Sequence, residues 1–245
     1  MTYTTFGRPL TRPHRLICFP YAGGAASDYR DWAGRLPGVD VVAACLPGRA
    51  GRYQERATTA FAPLLEELAA GIEPYLGARV TLFGHSMGGL LAFEVARRLE
   101  AQGRPVALVI ASGTEAPGTI AALPPYEDVP DETLLAELAD DGVVPAEALG
   151  NDELMSLMLP VLRADYEVIA DYRHHPAGPP LSTPMLVYYG IDEVPDPDRL
   201  RRQWAAAVAG PLGLRGFPGG HFFVHDAREH VIARLVEDVD GTVAA

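Results

Sequence analysis

Ser86 is the residue on which chemistry can be built. It stands in Gly84-His85-Ser86-Met87-Gly88, directly after the apolar run 80–83 and directly before a helical stretch. A serine hydroxyl is a weak nucleophile at neutral pH, so it needs a base beside it and hydrogen-bond donors where the oxyanion forms. A strand that turns sharply into a helix supplies that setting. Glycines at 84 and 88 remove side chains that would collide in the turn, Ser86 projects from the sheet edge, and the amide of Met87 opens the new helix. The second oxyanion donor expected is the amide of Ala22, in the glycine-bearing loop 20–25 that follows the strand-like run 15–19.

The base must reach Ser86 from a loop tip, and sequence context ranks the seven histidines. His221 comes first, because it follows Gly219-Gly220 after the last strand-like run. His225 is its neighbour at a helix start. His85 lies inside the elbow and should point away from the attack site. His174 and His175, beside Pro176, read as surface loop residues, and His14 and His230 carry no partner signal. The expected acid is Asp192, soon after the run 184–189. Glu193 fills the role if the loop register shifts, and Asp196 is more distant. The order Ser86, Asp192, His221 is that of α/β hydrolases.

Short apolar runs at 15–19, 39–46, 80–83, 106–111, 184–189 and 212–217 alternate with helical segments at 28–36, 58–76, 90–99, 198–208 and 226–239. That rhythm predicts βα units, hence an α/β fold with a doubly wound, mostly parallel sheet. In the segment 58–76, Leu64, Leu65, Leu68, Ile72 and Leu76 recur at helical spacing and read as core. From about 116–165 the rhythm breaks, with proline and acid at 123–131 and helical pieces at 131–139 and 153–172. A segment this long predicts a helical lid insertion over the site, within one domain spanning 1–245. Met155 and Met158 on it, with Tyr21 and Phe222, are candidate substrate-binding residues, since thioethers adapt to varied apolar shapes. Packing inside the insertion is the alternative for the methionines.

Twenty basic against 32 acidic residues give a net charge of −12, which argues against nucleic acid and anionic membrane as partners. Cys18 and Cys45, each in an apolar run, read as buried small hydrophobes rather than a bridge or metal pair. The first residues lack the apolar core of a secretory signal, and no stretch is long enough to span a membrane, so the expected setting is a cytoplasmic monomer.

Several further motifs join the elbow: Phe19-Pro20-Tyr21-Ala22-Gly23-Gly24, Trp32 with Leu36-Pro37, Leu46-Pro47-Gly48-Arg49 with Arg52 and Glu55, Leu162-Arg163-Ala164-Asp165-Tyr166 with Tyr172, and Gly219-Gly220-His221-Phe222-Phe223. With them, nearly the whole chain resembles the type II thioesterases that accompany modular polyketide synthases and nonribosomal peptide synthetases. The resemblance implies an α/β-hydrolase fold with a helical lid. It also implies a substrate acyl group tethered by a phosphopantetheine thioester to an acyl or peptidyl carrier protein, and no cofactor of the enzyme's own. Carried over by position, Ser86 is the nucleophile, Asp192 the acid and His221 the base, with the amides of Ala22 and Met87 as the oxyanion hole. The chain departs from the family at Tyr189-Gly190-Ile191-Asp192-Glu193, where two glycines and then an acid pair are usual, which leaves the acid open between neighbours. Because carriers are acidic, docking needs a local basic patch; Arg97 with Arg98, or Arg199 with Arg201 and Arg202, are the candidates, and solvated helix faces are the alternative. The elbow alone also suits an esterase of small soluble esters, or a binding protein that keeps the pocket without the chemistry.

Overall fold

The computed structural model describes residues 1–7, 9–120, 126, 129–140, 151–173, 175 and 178–241. The six apolar runs form strands: β2 (His14–Phe19), β3 (Val39–Ala44), β4 (Arg79–His85), β5 (Leu108–Ser112), β6 (Met185–Gly190) and β7 (Leu212–Phe217). All six pair in parallel, in the order β3-β2-β4-β5-β6-β7. Every residue of β3 and β5 is buried, as expected of parallel strands covered on both faces. A seventh strand, β1 (Tyr3–Thr5), adds antiparallel to β3. Its three residues are too few to show an alternating pattern; the buried Tyr3, whose hydroxyl donates to the carbonyl of Leu68 at 2.9 Å, anchors it.

One face of the sheet packs on α2 (Phe61–Gly71), α3 (Met87–Ala101) and α6 (Pro197–Ala205), through Leu64, Leu68, Leu91, Val95 and Trp204. The other packs on α1 (Trp32–Arg35), α7 (Phe223–Asp226) and α8 (Arg228–Asp240), through Trp32, Phe223, Val231 and Leu235. The chain winds from β2 outward to β3, then returns to place β4 on the other flank of β2. The loops after β2 and β4 therefore part company at the carboxyl edge, and an open sheet has its binding crevice at such a switch point.

Helix α2 is shorter than its leucine spacing suggests. It ends at Gly71 and hands over to a 3₁₀ turn containing Pro74, whose ring nitrogen has no hydrogen to continue the ladder. Its first amide, Phe61 N–H, donates to the Asp171 carboxylate at 2.8 Å, a cap brought from 110 residues away. Between β5 and β6 lie α4 (Asp131–Asp140) and α5 (Asp152–Tyr172). Asn151 caps α5 by accepting the Leu154 N–H at 3.0 Å, and the helix runs unbroken past position 165 to Tyr172. Most of the proline-rich stretch 123–131, and His174, lie outside the described residues. His175 is not a surface residue: it packs at 5.2 Å from the Phe61 ring and 3.6 Å from the buried Glu94 carboxylate. Cys18 is buried and Cys45 half-buried, both as free thiols, and burial raises the pKa of each. Among the described residues no helix is long and apolar enough to cross a membrane.

Candidate active site

The elbow is built by backbone meeting backbone. A Cβ on Gly84 would lie 1.8 Å from the Gly88 carbonyl oxygen, and one on Gly88 would lie 2.1 Å from the Phe19 carbonyl oxygen. Only glycine lets strand, turn and helix close this tightly. The turn forces Ser86 to φ +52° and ψ −122°, a region that non-glycine residues rarely adopt. Its backbone is held on both sides: Ser86 N–H donates to the Ser112 carbonyl at 2.8 Å, and the Thr114 hydroxyl donates to the Ser86 carbonyl. Met87 is the first residue of α3, where amides lack intrahelical acceptors and the helix dipole favours negative charge.

His85 does point away from the attack site, into the protein. It is fully buried, with Nδ1 3.0 Å from the Ser112 hydroxyl and Nε2 without a partner among the described residues. Burial, then the proximity of His221 and His225, pushes its pKa well below 6.5, so it is a neutral ring at neutral pH. Its ring centroid lies 5.1 Å from that of His221.

Ser86, Met87, Ala22 and His221 all line one cavity of about 580 Å³ at the carboxyl edge of the sheet. Glu193 lines it as well, and its Oε1 lies 2.8 Å from His221 Nδ1. Asp192, the expected acid, is not the carboxylate that meets the imidazole in this structure. The turn after β6 extends the ladder by one bond, Ile191 N–H to the Phe217 carbonyl at 2.9 Å, and then gives the Asp192 N–H to the Gly219 carbonyl at 3.1 Å. Asp192 thus ties the two loops through its backbone, and the residue itself is exposed. The turn closes with Glu193 N–H on the Gly190 carbonyl at 3.2 Å, which delivers the Glu193 side chain to the imidazole. Gly190 is required at this junction: a Cβ there would lie 2.2 Å from the Gly220 carbonyl oxygen. With Nδ1 so paired, Nε2 is the ring nitrogen left over, and His221 shares the cavity wall with Ser86.

Tyr21 and Phe222 line the cavity as expected, ring edge against ring face at 5.3 Å. The Tyr21 hydroxyl also meets His225 Nε2 at 3.1 Å, and burial followed by the nearby Asp28 raises its pKa. Met155 and Met158 are not cavity residues. They pack in a separate cluster with Tyr126, Leu134, Leu159 and Leu162, between α4 and α5. The reason is helical geometry. Positions 155, 159, 162, 166 and 169 form one stripe, of which the early turns face α4 and the later ones, Tyr166 and Ile169, reach the cavity. Met155 lies on this stripe about three turns before Tyr166, and Met158 packs beside it in the same cluster. Sequence reasoning also missed Ile120, Tyr189, Val194 and Leu200, whose apolar types in loops, at the end of β6 and in the first turn of α6 carried no signal that separates cavity from core.

Of the two basic clusters, Arg97 is engaged by Glu94 at 3.0 Å and Arg98 by Glu66 at 2.7 Å. Arg201 donates to the Leu212 carbonyl at 3.0 Å and Arg202 faces Asp196 at 3.6 Å, whereas Arg199 lines the cavity. Arg52 spans Glu55 and Glu67, both at 2.5 Å. Arg49 instead turns inward to Asp165 at 2.5 Å.

Residues 14–238 match the family model described as Thioesterase domain. The chain is 36% identical over 211 residues to the probable cadicidin biosynthesis thioesterase of Streptomyces griseus, a match covering 86% of this chain but 58% of that protein. It is 33% identical to the gramicidin S biosynthesis protein GrsT of Aneurinibacillus migulanus, over 89% of this chain and 86% of that one. Among solved structures, the type II thioesterase BorB from the borrelidin biosynthetic cluster superposes with a TM-score of 0.87 at 32% identity, covering 97% of each chain. The parallel sheet and its flanking helices agree with these matches, and the chain belongs to the thioesterase domain family.

Proposed function

We propose that this protein hydrolyses acyl thioesters presented on the phosphopantetheine arm of carrier proteins, in the service of a polyketide or nonribosomal peptide synthase. The observation that carries the reading is the convergence of Ser86, on its strained elbow, with the His221–Glu193 pair at one cavity. His221 Nε2 takes the proton of Ser86 as its oxygen attacks the thioester carbonyl, and the Glu193 carboxylate holds the tautomer and stabilises the imidazolium. The oxyanion is received by the amides of Ala22 and Met87. Collapse breaks the carbon–sulfur bond, the proton passes from His221 to the departing thiol, and water activated by the same imidazole releases the acid. A volume near 580 Å³ falls in the usual range for sites that enclose small ligands, about 300–1,000 Å³. No cofactor beyond the carrier's own arm enters this scheme. Arg199, at the cavity, is the cation best placed to meet an acidic carrier.

The test is release of the acid from an acylated carrier, followed by intact mass. Wild type should clear the carrier and Ser86→Ala should leave it acylated; turnover by Ser86→Ala would overturn the serine mechanism. A panel of matched simple esters tests the substrate class, since a kcat/KM on esters equal to that on carrier thioesters would mark a general esterase instead.

A further inference from the structure

Asp165 is a buried carboxylate that the reaction scheme leaves unused. It lies on α5, and its residue is only 2% exposed. Its Oδ2 accepts the backbone N–H of Gly23 at 2.8 Å and a guanidinium hydrogen of Arg49 at 2.5 Å, while Oδ1 accepts the second Arg49 nitrogen at 2.6 Å. Arg49 in turn donates to the Gly24 carbonyl at 3.2 Å and leans on the Pro47 carbonyl at 3.4 Å. The loop after β2 is thus gripped at two successive residues, by an amide and by a carbonyl. Gly23 is pressed against the same helix: it adopts φ +77°, and a Cβ there would lie 2.5 Å from Leu162 Cδ2, one turn before Asp165.

Ala22 is the residue immediately before this grip, and its amide is the oxyanion donor that no helix provides. Loop amides are as mobile as their loop, and misplacing a donor by about 1 Å can lower turnover roughly a hundredfold. A buried ion pair is a poor device for stability, because desolvation offsets much of its attraction. It is a good device for geometry, because a bidentate guanidinium and carboxylate fix distance and plane together.

We propose that Asp165, clamped by Arg49, is a positioning residue of the oxyanion hole, holding the Ala22 amide in place from α5. The helix that walls the acyl cavity through Tyr166 and Ile169 and the loop that stabilises the transition state then share one strut. This rests on the serine mechanism above, and Ser86→Ala tests that mechanism separately.

The experiment compares Asp165→Ala, Arg49→Lys and the double variant Asp165→Asn with Arg49→Gln, on an acylated carrier and on a trifluoromethyl ketone analogue of acyl-pantetheine, whose adduct with Ser86 carries an oxyanion. Asp165→Ala should lower kcat about 10- to 100-fold with KM within twofold, and should weaken the ketone by a similar factor while leaving an unreactive amide analogue unaffected. The double variant retains an oxygen for the Gly23 N–H and leaves no buried charge, and should recover most of both losses. A folded Asp165→Ala with kcat and ketone affinity within twofold of wild type overturns the proposal. So does a fall in kcat with ketone affinity unchanged. If Asp165→Ala does not fold, Arg49→Lys decides: it keeps the charge but not the two-point grip, and parallel losses in kcat and ketone affinity support the strut where unchanged values remove it.

Discussion

Ser86 and Glu193 stand on opposite kinds of structure. Ser86 is held by atoms that have no freedom, with strand, turn and helix in backbone contact and a buried His85 behind them. Glu193 is held by a surface turn, its side chain 40% exposed and His221 27% exposed. At the elbow a motif encodes position because every alternative residue collides. At the acid turn, position depends on how many residues the turn consumes, and neighbouring carboxylates compete for one role. A short motif fixes position where every alternative residue collides, and leaves a choice where a turn can consume one residue more or fewer.

The largest effect should come from disturbing the rigid side. Gly84→Ala drives a methyl to 1.8 Å from the Gly88 carbonyl, and nothing flexible is available to yield. Expression should drop and the remaining folded protein should be inactive toward acylated carriers. Soluble Gly84→Ala with turnover within tenfold of wild type would show that the elbow is looser than its geometry.

The next effect separates the two acids. Glu193→Gln removes the carboxylate opposite His221 Nδ1 and should lower kcat by a factor of about 10² or more, with the roughly 10⁴ known for a fully buried partner as the upper limit. Asp192→Asn keeps the backbone bond to Gly219 and should change kcat less than about twofold, since surface substitutions seldom matter. Rates measured for both variants on one acylated carrier give the ratio directly. A larger loss in Asp192→Asn would reverse the assignment and mean that the turn shifts by one residue when substrate binds.

Much of the fold was legible because its signals are local. Six parallel strands announce themselves as apolar runs, and Gly84, Gly88 and Gly190 mark places where backbones touch. The antiparallel Tyr3–Thr5 strand was hidden because three residues show no period. The late start of α2 was hidden because the cap on Phe61 comes from Asp171, far along the chain. In the site, the placement of Ser86 and His221 at one cavity followed from their glycine contexts. The methionines of α5 misled because a helical stripe has the same spacing along its whole length, whereas what it faces changes turn by turn. Arg49 and Asp165 appeared only as parts of separate motifs, since nothing in either indicates a contact across 116 residues.

The smallest effect concerns the ring behind the elbow. His85 is kept neutral in the folded protein by burial, first, and by His221 and His225. In the unfolded chain it titrates near 6.5. Below that value the unfolded state binds the proton and the folded state does not, so stability must fall as pH falls, by at most about 1.4 kcal/mol per pH unit until the folded pKa is reached. Above pH 7 His85 contributes no slope. His225, also lowered by burial and itself half-exposed to solvent screening, acts in the same direction with a weaker slope. Urea unfolding between pH 7.5 and 5.5 should therefore show wild type losing about 1 to 2 kcal/mol across that range from these rings. His85→Gln keeps a polar group near Ser112 and should flatten most of the loss without removing turnover. If the variant kept the full slope, the buried histidine would not be the neutral ring on which the elbow rests.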